Sequence, residues 1–147
     1  MFEQDVETAE EELKRADHLI YVSLKYTRTC DVMKNAIKRL IAAFELSMER
    51  YLEFMRKNKS INEVPNSVKE KSLLVKKLLG NSIRKYMTLY NLLKRIDKAD
   101  YIATEEFRKN VTLTTKEANP VNVKVENLCE YLDITKDFVS FMTKKSE

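Results

Sequence analysis

The sequence predicts an all-α protein. The expected form is an antiparallel four-helix-type bundle of long helices, with a short helix and a small β-hairpin before the last one. Three observations predict it. The 147 residues include one Gly and two Pro, where average usage would supply roughly ten and seven, so tight turns are few and helices run long. Hydrophobic residues make up 44% and charged residues 34%, a balance that suits amphipathic helices and argues against disorder. Apolar residues recur at three- and four-residue steps over most of the chain, which is the period of one helical face. The length suits a single domain, residues 1–147, with a core of its own.

The first helix is expected from about Asp5 to Tyr26, with Val6, Ala9, Leu13, Ala16, Ile20 and Leu24 on its inner face and Leu19 and Val22 widening that stripe. Thr8 and Glu11 have capping-box spacing, which offers Ala9 as an alternative start. Thr27-Arg28-Thr29 is a break in which Thr29 caps the next helix and Asp31 meets its dipole. One continuous helix through residue 28 is the alternative, because β-branched threonines weaken a helix without ending it. The second helix follows from Cys30 to about Lys57, with Met33, Ile37, Ile41, Phe44, Met48, Tyr51 and Met55 inward. Antiparallel pairing about residue 28 sets Asp17 opposite Arg39 and brings Glu7 within one position of facing Arg50.

Residues 58–66 are polar, contain Pro65 and read as a loop; Ser67 and Glu70 then form a second capping box. The third helix runs from Val68 to about Asp97. Its stripe of Val75, Leu79, Ile83, Met87, Tyr90 and Leu93 stays in phase across Gly80-Asn81-Ser82, which implies one helix with a possible kink. A short fourth helix is expected from Ala99 to Lys109. Val111, Leu113 and Thr115 alternate, as do Val121, Val123 and Val125, around a turn ending in Asn119-Pro120, and this is a hairpin signature. The last helix spans about Glu126 to Lys144, with Leu128, Leu132, Thr135, Val139 and Met142 inward.

Charge is distributed unevenly. Residues 1–13 carry six acids and no base, and residues 98–147 are close to neutral. Bases exceed acids by eleven to five over residues 14–60 and by eight to three over residues 61–97. Lys57, Lys59, Lys69, Lys71, Lys76, Lys77, Arg84 and Lys85 are central to that excess, and a basic face of the second and third helices reads as a surface for a nucleic-acid backbone. The plainer reading is a lysine-rich solvated face. Lys25, Arg28 and Lys34 flank the start of the second helix, where free N–H groups and cations suit a phosphate, although no glycine opens the loop.

Other chemistry is sparse. Cys30 and Cys129 have no metal-ligand or CxxC spacing and read as free thiols. His18, the single histidine, has no nucleophile beside it in sequence, and no structural metal or cofactor motif appears. Tyr21, Tyr26, Tyr86, Tyr90, Tyr101 and Tyr131 are able to stack bases, but tyrosines at helical spacing usually line a core edge. No apolar run approaches the ~20 residues of a membrane span. The acidic N-terminus is unlike a secretory signal, so a cytoplasmic location without membrane association is expected. Tyr86, Leu89, Tyr90 and Leu93 belong to an arc wider than one packed stripe, which calls for a covering element, and a second copy of the chain is the expected one.

The segments Ala16-Asp17-His18-Leu19-Ile20-Tyr21-Val22-Ser23-Leu24-Lys25-Tyr26-Thr27-Arg28-Thr29 and Glu105-Glu106-Phe107-Arg108-Lys109-Asn110-Val111-Thr112 are similar to those of archaeal proteins associated with the HEPN superfamily. The order of elements resembles that superfamily over most of the chain. The resemblance implies a four-helix core, homodimers, and RNA cleavage or partnership with nucleotidyltransferases. Its ribonucleases carry an Arg and a later His separated by four to six residues. Here Glu11, Glu12 and Leu13 stand where that Arg would precede His18, so the motif is missing. The expected function is a non-catalytic, homodimeric interaction module that binds no cofactor. An RNA-binding protein using the basic face is the alternative, and a HEPN-type ribonuclease is the third reading.

Overall fold

Thr29 decides where the chain first turns back. The computed structural model describes residues 8–147. In it Thr27 leaves helical geometry (φ −138°, ψ 87°), and the Thr29 hydroxyl accepts the Val32 amide at 3.4 Å to start a new helix. Before this break runs one helical stretch: α1 (Ala9–His18), a π-helical turn (Leu19–Ser23) and the short α2 (Leu24–Tyr26). Thr8 caps α1 by accepting the Glu11 amide at 3.2 Å, so the helix starts at the later of the two expected positions. The 28-residue α3 (Cys30–Lys57) follows.

After the loop, Ser67 caps α4 (Val68–Leu79), and a 3₁₀ segment (Gly80–Ile83) leads to α5 (Arg84–Lys98). The expected single kinked helix is therefore two helices. Gly80 adopts φ 57°, ψ −134°, a conformation that no helix contains. The apolar phase nevertheless survives: Val75, Ile83, Met87, Tyr90 and Leu93 are all buried, while Leu79 is half-buried. The last helix, α6, spans Val125–Lys145.

The expected fourth helix does not form. Tyr101–Thr104 is instead strand β1, which pairs antiparallel with β2 (Thr112–Thr115) in the register Tyr101↔Thr115 to Thr104↔Thr112. β2 in turn pairs antiparallel with β3 (Asn122–Val123), with Leu113 opposite Val123. The predicted two-stranded hairpin is thus two strands of a three-stranded sheet, ordered β1-β2-β3. Leu113 and Thr115 are buried on one face of β2, while Thr112 and Thr114 are half-exposed on the other. Tyr101, Ile102 and Thr104 are strand formers, and the helix-favouring Glu105, Glu106, Arg108 and Lys109 fall in the loop after β1.

α3 is the element that the others pack against. Met33, Ile37, Leu40, Phe44, Met48 and Leu52 are at most 1% exposed. Phe44 stacks on Phe138 of α6 with ring centroids 4.6 Å apart, and lies 5.4 Å from the Tyr90 ring of α5. Burial of a Phe at such a site is worth ~3–5 kcal/mol against Ala.

α1 and α3 are antiparallel, but their ion pairs differ from those expected. Arg39 meets Glu12 at 3.3 Å, and Asp17 instead meets Lys136 of α6 at 3.1 Å. A π turn takes up one extra residue, which rotates the preceding helix by about 100° relative to an uninterrupted one. Ala9, Ala16, Ile20 and Leu24 nevertheless keep the expected inward face, while Val22, expected inside, is exposed. Glu12 is buried between Arg15 and Arg39. Arg50 pairs with Glu10 at 2.8 Å; the pairing expected with Glu7 falls outside the described residues.

Gly80 gives a direct test of this chain path. A Cβ placed there meets no atom within 4 Å, so only the backbone angle requires glycine. Gly80→Ala is expected to lower the unfolding free energy by about 1–3 kcal/mol despite full exposure of the site. Denaturant melts measure this, and an unchanged midpoint would mean that the α4–α5 break is absent.

Candidate functional site

The first candidate, the start of α3, turns out to be occupied by the chain itself. Glu106, in the loop between β1 and β2, accepts the Cys30 amide on its Oε2 at 2.9 Å. The anion that a helix N-terminus attracts is thus an internal carboxylate. Of the three cations expected there, Lys34 is committed elsewhere: its Nζ donates to the Asp97 carbonyl at 2.7 Å and lies 3.7 Å from the Asp97 carboxylate. Lys25 is exposed, and Arg28 is half-buried with its carbonyl accepting the Phe107 amide at 2.7 Å. The structure therefore divides the trio and leaves Lys25 and Arg28 at the surface.

Cys30 shares this corner. It is buried, and its Sγ donates to the Thr112 carbonyl at 3.4 Å. Burial, then the negative charges of Glu106 and Asp31, push its thiol up to about 11. Such a group remains a neutral thiol near pH 7 and is a poor nucleophile. Cys129 is a second free cysteine and is half-buried. His18 is exposed on α1, in a shallow cavity with Lys14, Asp17 and Lys136. Among the described residues, no three His, Cys, Asp or Glu side chains gather as metal ligands, and no helix is long and apolar enough to cross a membrane.

The second candidate does assemble. The break at Gly80 folds the end of α4 against the start of α5 around a cavity of about 360 Å³. Lys76, Asn81, Arg84, Thr88 and Asn91 line it, with Met87 and Ile83 at its base. Arg84, Thr88 and Asn91 follow helical spacing, so one stripe of α5 carries the polar side of the cavity. Lys77 and Lys85 are exposed next to it, and Lys69 is exposed on the first turn of α4. The Lys85 ammonium lies 4.9 Å from the Tyr86 ring centroid.

The ion-pair pattern separates this face from the rest. On α3, Lys34, Lys38, Arg39, Arg50 and Arg56 each meet a carboxylate. Lys71 and Lys94, at the two ends of the α4–α5 face, reach Glu49 and Glu45. Among the described residues, Lys69, Lys76, Lys77, Arg84 and Lys85 form no ion pair. Residues 68–94 carry seven bases against the single acid Glu70, which lies at the start of α4, away from Lys76, Lys77, Arg84 and Lys85 in sequence.

The side chains expected at a dimer contact lie elsewhere. Tyr86, Leu89, Tyr90 and Leu93 are 8, 6, 3 and 0% exposed. Tyr86 packs on Phe138 and Phe141 of α6, with centroids 5.5 and 6.0 Å away. The Tyr90 hydroxyl donates to Glu45 of α3 at 2.7 Å, and burial together with that carboxylate pushes its phenol far above the ordinary range. The wide apolar arc of α5 is therefore covered from two sides by α3 and α6 of the same chain. A second copy could touch these four side chains only if that core opened.

Two surface features escaped the sequence reading. Glu106 was placed on a helix, and nothing local marks its long reach to Cys30. Phe107, 74% exposed, and Tyr26, 85% exposed, stand in solvent, although tyrosines at helical spacing such as Tyr26 usually line a core edge.

The buried thiol makes a prediction about reactivity and pH. A disulfide-exchange reagent near pH 8 should label Cys129 and reach Cys30 only on unfolding; two fast-reacting thiols would contradict the burial of Cys30. Because its folded pKa is raised, the thiol's contribution to stability is present below about 9 and is lost as pH rises toward about 11. No family model, curated protein or solved structure matches this chain.

Proposed function

We propose that the chain is a non-catalytic RNA-binding module that takes the phosphate backbone on the cationic face of α4 and α5. The observation that carries this reading is the set of five bases on α4 and α5, Lys69, Lys76, Lys77, Arg84 and Lys85, that form no ion pair among the described residues. A solvated lysine-rich surface normally intersperses both signs, and α3 does so in this molecule. The α4–α5 face does not. A row of unneutralised cations raises the local potential and recruits polyanions.

The cavity adds shape to the charge. Lys76 and Arg84 flank it, and the amides of Asn81 and Asn91 offer donors and acceptors between them. Arg84 suits a phosphate through its planar fork, while the lysines act as point charges. No nucleophile–base pair stands on this face: the one histidine lies on α1, and the Cys30 thiol is buried beside the sheet. Binding without cleavage is therefore the activity proposed. The HEPN resemblance, with its association with RNA and its missing Arg–His motif, points the same way.

Filter-binding or anisotropy measurements over a salt series test the proposal. Five engaged cations predict that log K against log salt falls with a slope of about −3 to −4 for single-stranded RNA. Replacing Lys76 and Arg84 by Ala should weaken binding at low salt and flatten that slope by about 1.4. Affinity indifferent to salt, or to both substitutions, would overturn the proposal.

A further inference from the structure

The loop between β1 and β2 holds an aromatic ring in solvent at a backbone cost. Glu105 and Phe107 both have left-handed angles, with φ of 56° and 66°. For a bulky side chain this conformation is disfavoured and persists only where its surroundings impose it. Three contacts impose it here. The Phe107 amide donates to the Arg28 carbonyl at 2.7 Å, the Glu106 carboxylate accepts the Cys30 amide at 2.9 Å, and the Arg108 amide donates to the Glu105 carbonyl at 3.2 Å. The ring gains little burial in return, since Phe107 is 74% exposed. A glycine would fit the same backbone more easily, so the fold by itself gives no reason for phenylalanine.

A second ring stands nearby. Tyr26 is 85% exposed at the end of α2, two residues before the Arg28 carbonyl that holds Phe107. Lys25, Arg28 and Lys109 belong to the same corner and form no ion pair among the described residues. Glu106 is turned inward to the start of α3, and Glu105 pairs with Arg108 at 3.6 Å. The corner thus presents two aromatic faces among unneutralised cations. An unpaired base stacks on an aromatic face while its phosphate meets a cation, which is the chemistry of single-strand recognition.

We propose that Tyr26 and Phe107 form a stacking subsite for unpaired bases of single-stranded RNA, whose phosphates lie on Lys25, Arg28 and Lys109. This rests on the RNA-binding reading above and adds a preference for single strands. The subsite is distinct from the α4–α5 cavity. The fifteen residues of α5 span about 22 Å and run from that cavity to Lys98, just before β1.

Anisotropy with the full chain tests it, using labelled oligouridine and a blunt RNA duplex with the same number of phosphates. Tyr26→Ala with Phe107→Ala should weaken oligouridine binding roughly tenfold or more and leave the duplex within about twofold, while Phe107→Trp retains the single-strand affinity. Phe107→Gly should weaken oligouridine too, yet melt no lower than the parent chain, because the angle suits glycine; this separates a lost contact from a damaged fold. Oligouridine binding unchanged by the ring variants but weakened by Lys76→Glu would overturn the subsite and leave the RNA-binding reading in place. Equal losses for both RNAs would overturn stacking. A parent chain that binds neither RNA removes both proposals. A parent dimer that Phe107→Ala dissociates would assign the corner to a second copy and overturn the subsite.

Discussion

Phe44 against Phe138 is the contact on which the rest of this molecule depends. Both side chains are fully buried, and their rings stack with centroids 4.6 Å apart between α3 and α6. Tyr90 joins from α5 on the Phe44 side, and Tyr86 joins from α5 on the Phe138 side. Four rings thus lock three helices in mutual orientation. Stacked and tilted ring pairs contribute ~0.5–1.5 kcal/mol each beyond their buried area. Their larger effect is directional, because each ring sets the rotation of its helix.

The surface of the chain follows from that rotation. Once Tyr86, Leu89, Tyr90 and Leu93 turn inward, Arg84, Lys85, Thr88 and Asn91 must turn outward on the same helix. The break at Gly80 then sets the end of α4 beside them and brings Lys76 to Arg84. At the sheet end, the Glu106 carboxylate fills the start of α3 and fixes the loop that carries Phe107. One arrangement of the core therefore leads to two exposed features, a cationic face and an aromatic corner.

Much of this is legible in the residues. Thr29 and Ser67 have the side chains that cap helices, and both do so. The stripes of α3 and α6 are buried as their spacing implies, except that Met55 at the end of α3 is only half-buried and that Phe138 escapes a count restricted to one face of α6. Three things are not legible, for physical reasons. A π turn leaves no compositional mark, and the pairing of Asp17 with Lys136 joins positions 119 apart. The strand-forming Tyr101, Ile102 and Thr104 are followed directly by the helix-favouring Glu105, Glu106, Arg108 and Lys109, and only pairing with β2, eight to fourteen residues further along, decides between the two. The width of the apolar arc on α5 states that a cover is needed without naming it. α3 and α6 supply that cover, and the reach of Glu106 to Cys30 across 76 positions is likewise a property of the assembled fold.

α5 hides its apolar side within its own chain, and the proposed RNA site is its cationic side together with the Tyr26–Phe107 corner. Amide chemical-shift mapping during titration with oligouridine tests it most directly. The account predicts perturbations over residues 76–85, at Thr88 and Asn91, and at residues 25–28 and 105–109, with the amides of Leu132, Phe138 and Met142 unmoved. Perturbations centred on α6 and the buried side of α5, or none at saturating RNA, would contradict it.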